Sequence, residues 1–151
     1  MYNFTEFWMG IQRMVRLYEK MMREVCDGYR LSMVEVDIIA FLKNNPQKDT
    51  AADIVELRML SKAAVSKGAD ALIQKGMLER EADPTDRRKI HLKLTKEAFP
   101  VTREIQKTQE AFLGLLYGGF SEEEYEMYLR MRERMLENVS NKTGERRKKH
   151  E

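Results

Sequence analysis

The sequence predicts a mainly α-helical fold carrying one small β-hairpin, and three observations predict it. Apolar residues recur at steps of three and four along both flanks of the chain. Capping and stop signals punctuate the segments between. One short stretch switches to strict alternation behind a charged turn. A chain of 151 residues with 42% hydrophobic residues has enough apolar surface for one domain with its own core, and too much for wholesale disorder.

The first helix is drawn by Phe4, Phe7, Trp8, Ile11, Met14, Val15, Tyr18, Met22 and Val25, a helical stripe. Asn3 or Thr5 caps its start, and Asp27-Gly28 is expected to end it, since glycine suits the left-handed position past a helix end. Ser32-Met33-Val34-Glu35 is a capping-box pattern opening a second helix. Val36, Ile39, Ala40 and Leu42 form its apolar face, Phe41 sits near the edge, and Asn44-Asn45-Pro46 stops it. A short helix from about Thr50 to Arg58 follows. Ser61 then caps a helix from about Lys62 to Lys75, which Gly76 closes.

At this point the period changes. Met77 to Ala82, the charged segment Asp83-Pro84-Thr85-Asp86-Arg87-Arg88, and the alternating Lys89-Ile90-His91-Leu92-Lys93-Leu94 read as a hairpin. The last third is helical again. Ile105, Phe112, Leu115 and Leu116 share one helix, Tyr117-Gly118-Gly119 breaks it, and Ser121-Glu122-Glu123-Glu124 opens another. Tyr125, Tyr128, Leu129, Met135, Leu136 and Val139 give that helix its stripe. A polar, basic tail over residues 142–151 is expected to fray.

Helix, short helix, tight turn, helix and hairpin, over about residues 32–95, make a winged helix-turn-helix. Helices over about 3–27 and 100–141 flank it as dimerisation helices, within one domain spanning 1–141. The second helix of such a turn fits the major groove, where each base pair shows its own donor and acceptor pattern. Ser61, Lys62, Ala63, Ser66 and Lys67, with Asp70, are small or hydrogen-bonding groups near the N-terminal half of that helix, and the lysines suit phosphates or guanine. In the wing, Asp86, Arg87, Arg88 and Lys89 form a basic tip suited to a minor groove. Asp86 is expected to hold an arginine side chain extended. The plainer reading of both features is a solvated amphipathic helix and a solvated turn; their succession favours double-stranded DNA as the partner.

These segments resemble the MarR (multiple antibiotic resistance regulator) family. The resemblance rests on Leu60-Ser61-Lys62-Ala63-Ala64-Val65-Ser66-Lys67, then Leu72-Ile73-Gln74-Lys75-Gly76-Met77-Leu78-Glu79-Arg80, then Asp83-Pro84-Thr85-Asp86-Arg87-Arg88, then Leu92-Lys93-Leu94-Thr95. It covers nearly the whole chain. It implies a homodimer with interlocked terminal helices, a palindromic operator, and repression relieved by a small molecule or an oxidant. Two positions depart from the pattern. Gly68 lies mid-helix, where glycine costs about 0.5–1 kcal/mol relative to alanine, so close approach to DNA or to a neighbouring helix is expected there. Ala98 stands where the family usually has glycine, and Pro100 follows, so the helix after the wing is expected to start late or to kink.

Other functions find less support. The formal net charge of +2 does not by itself announce a nucleic-acid binder, so position rather than total charge carries that argument. One cysteine, Cys26, allows no intrachain disulfide and no thiolate-rich metal site. Its place near the end of the first helix disfavours a thiolate, although a regulator sensing redox state through Cys26 stays an alternative. His91 and His150 are too few and too far apart for a metal site, and His91 reads as solvated on the polar face of its strand. No nucleophile–base pair, phosphate loop or paired catalytic carboxylates suggest an enzyme or a cofactor. No apolar run spans a bilayer and no secretory signal opens the chain, so a soluble cytoplasmic protein is expected. The chain has 11 methionines, which adapt to irregular cavities. Trp8, Met14, Tyr18, Met22 and Phe41, with Met9 and Met21, are candidates for a small-molecule pocket or for dimer core. A helical dimer that binds protein rather than DNA is the remaining alternative.

Overall fold

The computed structural model describes residues 3–143. The tail expected over 142–151 falls outside them beyond Thr143, His150 included. The element order is α1 (Phe4–Tyr29), α2 (Met33–Asn44), α3 (Ala51–Arg58), α4 (Lys62–Gln74), β1 (Leu78–Ala82), β2 (Ile90–Leu94), α5 (Phe99–Tyr117) and α6 (Glu122–Thr143). Two compact units are found, one up to Phe112 and one from Leu113, with the boundary inside α5.

In the first unit, the Asn3 side chain caps α1 by accepting the Thr5 N–H at 3.0 Å. The helix passes the expected stop at Gly28 and ends at Tyr29, with Arg30 in the left-handed region at φ 53°. The Leu31 N–H returns to the Cys26 carbonyl at 2.9 Å. This closure turns the chain so that Leu31 enters the core, and burial of that leucine outweighs the local preference for glycine. Only the C-terminal half of α1 reaches the core, through Met22, Val25 and Cys26.

Helix α2 is buried almost all round, from Glu35 to Leu42 without a break. The expected single face, with Phe41 at its edge, is therefore too narrow: Phe41 is buried. A helix covered on every side must satisfy its charges internally. Asp37 meets Arg58 Nη2 of α3 at 2.5 Å, and Glu35 meets Lys75 Nζ after α4 at 2.6 Å. Burial pushes the Asp37 carboxyl up, and Arg58 opposes that shift. Ser32 caps α2 by accepting the Glu35 N–H at 3.1 Å, but the Glu35 carboxylate goes to Lys75 instead of completing the box.

The short α3 carries a full capping box between Thr50 and Asp53. Met59 follows at φ 55°, and Ser61 caps α4 through the Ala64 N–H at 3.1 Å. Val65, Gly68, Ala69 and Leu72 form the buried face of α4, which packs on α2. A Cβ on Gly68 would lie 2.8 Å from Ile38 Cδ1 and 3.0 Å from Val34 Cγ1. The neighbour expected beside this glycine is thus α2, whose side chains approach the α4 backbone. Gly76 at φ 73° ends the α4 segment.

The strands pair antiparallel, from Leu78↔Leu94 to Ala82↔Ile90. Leu78 and Leu92 turn inward. The Thr95 Oγ1 donates to the Gly76 carbonyl at 2.5 Å and its N–H to the Met77 carbonyl at 3.0 Å, closing the base of the hairpin. A short 3-10 turn, Lys96–Ala98, precedes α5. Pro100 therefore sits in the first helical turn, where its missing N–H needs no partner, and the helix does start late. Ala98 is wholly buried.

In the second unit, Ser121 and Glu124 complete a capping box at the start of α6, at 2.8 and 3.2 Å. The Tyr117 ring packs against Phe120, Tyr125 and Tyr128, with centroids 4.9–5.8 Å away. Among the described residues, no helix is long and apolar enough to cross a membrane.

Gly68→Ala should destabilise the protein by about 1 kcal/mol or more, because overpacking a buried contact costs roughly 1–3 kcal/mol against a propensity gain of about 0.5–1 kcal/mol. Gly10→Ala in α1, where a Cβ meets nothing within 4 Å, should stabilise it instead. Urea denaturation of the two variants distinguishes them; equal gains at both positions would refute the packing role of Gly68.

Candidate nucleic-acid interface

Helix α4 divides cleanly into two sides. Opposite its buried face, Ser61, Lys62, Ala63, Ser66, Lys67 and Asp70 are all exposed. Lys62 and Ser66 stand one turn apart, as do Ala63 and Lys67. The Ser61 hydroxyl is already engaged as the cap. Asp70 is held by Arg80 Nη2 of β1 at 2.5 Å, which links the exposed side of α4 to the wing. Arg80 was not singled out from the sequence: its partner sits on another element, and only the fold brings the two together.

The loop between β1 and β2 takes its shape from two aspartates acting on backbone. Asp83 Oδ1 accepts the Thr85 N–H, the Thr85 hydroxyl and the Asp86 N–H, each at 2.9 Å. Asp86 Oδ1 accepts the Arg88 N–H at 3.0 Å. The expected grip of Asp86 on an arginine side chain is thus replaced by a grip on the Arg88 backbone, the ordinary behaviour of aspartate in turns. Arg87, Arg88 and Lys89 are exposed at the tip, and among the described residues no ion pair engages them.

His91 is not the solvated residue the alternation suggests. It is half-buried, with Nδ1 2.6 Å from Asp49 Oδ1 and Nε2 2.8 Å from Asp83 Oδ2. Hydrogen bonding to Asp49, then to Asp83, pushes the imidazole up from its usual 6.5. His91 and the loop amides hold Asp83 well below the usual carboxylate range. Asp49 also accepts the Leu92 N–H on its backbone carbonyl at 2.7 Å.

The five pocket candidates are scattered between core and surface. Met22 and Phe41 are in the core and Tyr18 packs against it, with the Tyr18 hydroxyl accepting from Gln109 Nε2 at 3.2 Å. Trp8 and Met14 lie on exposed parts of α1, at 51% and 42% exposure, and Trp8 stacks on Phe4. Cys26 is buried, and burial, then Asp27, pushes its thiol up. Peroxide sensing needs the opposite, an accessible thiol with a lowered pKa. Among the described residues, no group of three or more acidic, histidine or cysteine side chains is placed to hold a metal.

Similarity to known proteins follows the same segments. The family model described as MarR family matches residues 31–89. The HTH-type transcriptional regulator PecS of Dickeya dadantii (strain 3937) is 31% identical over 117 residues, covering 76% of this chain and 70% of PecS. Two solved structures share the fold. The S. aureus MepR–DNA complex has TM-score 0.72 and 17% identity, over 91% of this chain and 96% of that one. Bordetella bronchiseptica BpsR, from a study of how 6-hydroxynicotinic acid regulates its DNA binding, has TM-score 0.65 and 18% identity, over 86% and 98%.

Cys26 in the folded chain should react with a thiol–disulfide reagent at neutral pH about tenfold or more slowly than in the urea-unfolded chain, since the thiolate is the reacting form. Equal rates in a stopped-flow comparison would restore the redox reading.

Proposed function

Because the chain belongs to the MarR family, we propose that it is a transcriptional repressor that binds a palindromic duplex operator as a homodimer and is released by a small molecule. The observation that carries this reading is the placing of the exposed side of α4 and the basic wing tip within one unit, joined by the Arg80–Asp70 pair. An α-helix about 10–12 Å across fits a major groove about 12 Å wide. Lys62 and Ser66 are assigned to base edges and Lys67 to a phosphate. Arg87, Arg88 and Lys89 are assigned to the neighbouring minor groove and its phosphates, where narrow, negative grooves attract arginine. Ser61 orients α4, and Ala63 leaves room for close approach. MepR, crystallised with DNA, and BpsR, whose DNA binding responds to a small aromatic acid, support the DNA and effector parts of the reading.

The dimer follows from apolar surface that a single chain leaves uncovered. Phe4, Phe7, Trp8 and Met9 are exposed along the first turns of α1, and Met127, Met131, Met135, Leu136 and Val139 along α6. Surfaces of this kind mark association sites in soluble proteins. A second copy of the chain covers both. Two-fold symmetry then sets the α4 helices about 34 Å apart, and the half-sites about one helical turn apart. The effector is assigned, on residue type alone, to Trp8, Met14, Tyr18 and Met22 of α1 and Phe41 of α2, although the chain divides them between exposed surface and core; methionine adapts to irregular ligands. No catalytic step or cofactor is part of this function, and the expected location is the cytoplasm, with the DNA. Selection of bound duplexes from a random library tests the reading. It should return a palindrome, and fluorescence-polarisation affinity should fall steeply with salt. Salt-insensitive or absent DNA binding would favour a protein-interaction module.

Arg88→Ala should weaken operator binding about tenfold or more, a loss of about 1.4 kcal/mol or more, with an unchanged melting curve; wild-type affinity would refute the wing assignment. Sedimentation should show a dimer at micromolar concentration. A Trp8→Glu chain, losing the central aromatic of the α1 face, should sediment as a monomer, and a dimer of unchanged affinity would remove α1 from the interface.

A further inference from the structure

The wing is fastened to the rest of its unit by a side-chain clasp. His91, near the start of β2, lies between Asp49 of the α2–α3 connection and Asp83 at the end of the loop next to β1, at 2.6 and 2.8 Å. A carboxylate only accepts, so a complete clasp needs both ring nitrogens to donate, and imidazole carries two N–H groups only when protonated. Asp83 is the hub. Its Oδ2 meets His91, while its Oδ1 gathers the Thr85 and Asp86 amides that shape the tip. The residue that folds the tip is therefore the one His91 anchors to the helical body.

We propose that His91 is a positioning residue for DNA binding: its imidazolium, bridging Asp49 and Asp83, holds the wing at the pitch from which Arg87, Arg88 and Lys89 reach the duplex, so that wing engagement weakens as the ring loses its proton. This rests on the DNA-binding reading above. The hydrogen bonds to Asp49 and Asp83 push the imidazole up from 6.5, so the bridge is complete below about pH 6.5 and is lost as pH rises through the raised value. A neutral ring has one N–H, and one carboxylate then loses its donor. The two aspartates left beside the wing also repel phosphate, which acts in the same direction.

Charges on the elements packed against β2 are otherwise engaged or lie apart from the clasp. On β1, Glu81 is the cross-strand partner of His91 and is held by Lys93 at 3.1 Å, Arg80 is held by Asp70, and Glu79 stands opposite Lys93. On α2, Asp37 and Glu35 are paired with Arg58 and Lys75, and Lys43 lies at the exposed C-terminal end. On α3, Asp53 closes the cap with Thr50 and Glu56 is exposed. Lys48 and Lys89 flank the clasp in sequence. His91 is the sole histidine among the described residues, and histidine is the side chain that ordinarily changes charge between about pH 5 and 8.

The test uses the full chain as wild type, His91→Gln and His91→Lys. Glutamine keeps an amide donor without charge, and lysine keeps a cation with several donors throughout the range. Affinity for a fluorescein-labelled random-sequence duplex is measured from about pH 5 to about pH 8 at constant ionic strength. Wild-type affinity should fall about three- to tenfold across the range, tenfold being what one pH unit of linkage carries. The glutamine variant should be flat and weak, and the lysine variant flat and tight. Without DNA, amide-exchange protection of residues 82–90, corrected for intrinsic rates, should follow the same pattern. A glutamine variant with the wild-type pH profile, or with undiminished wing protection, overturns the proposal. If the wild-type chain binds no duplex at any pH, the DNA-binding reading falls and this proposal with it; if all three proteins bind with one profile, only the clasp falls.

Discussion

The close approach of α4 to α2 at Gly68 is the constraint on which the rest of the first unit depends. Helix α2 is buried without a break from Glu35 to Leu42, and the α4 backbone comes close to it at Gly68, where an added Cβ would lie 2.8 Å from Ile38 Cδ1 and 3.0 Å from Val34 Cγ1. That contact fixes which side of α4 turns away from the core. It thereby decides that Lys62, Ser66 and Lys67 face outward while Val65, Ala69 and Leu72 do not. The local propensity cost of a mid-helix glycine is about 0.5–1 kcal/mol, and the packing against α2 offsets it.

Ionic ties refine what packing sets. Asp37–Arg58 joins α2 to α3, Glu35–Lys75 joins α2 to the end of α4, and Asp70–Arg80 joins α4 to β1. The first two place a carboxylate from the enclosed helix on a partly exposed cation. Such pairs contribute little net stability, because desolvation opposes attraction. They do penalise any register in which the carboxylate is left alone. The third pair is exposed at both ends, so its worth lies in orientation rather than stability.

Signals that act over one turn were legible in the sequence. The caps at Ser32 and Ser61, the stop at Gly76, the late start of α5 at Pro100, the box at Ser121 and the hairpin all rest on neighbours within a few residues, and the structure holds each of them. The outward face of α4 was legible for the same reason, as a matter of period. What escaped is long-range. Alternation puts His91 on the polar side of its strand and says nothing of Asp49, 42 residues away. The full burial of α2 depends on everything packed around it, which its own apolar stripe does not encode. Gly28 looked like a stop because glycine suits one, yet Arg30 takes the left-handed position so that Leu31 can be buried. The expected Asp86–arginine side-chain contact gave way to a bond with the Arg88 amide two residues on, the local backbone capture that aspartate favours in turns.

That backbone bond has a consequence for the tip. Asp83 and Asp86 grip main-chain amides, which are the same whatever side chain follows. The fold of the tip is therefore largely indifferent to the identities of residues 87–89. Within this architecture the side chains at the tip can vary while the loop that presents them is kept. A change at residues 87–89 therefore alters the charge and chemistry of the tip without rebuilding the scaffold beneath it.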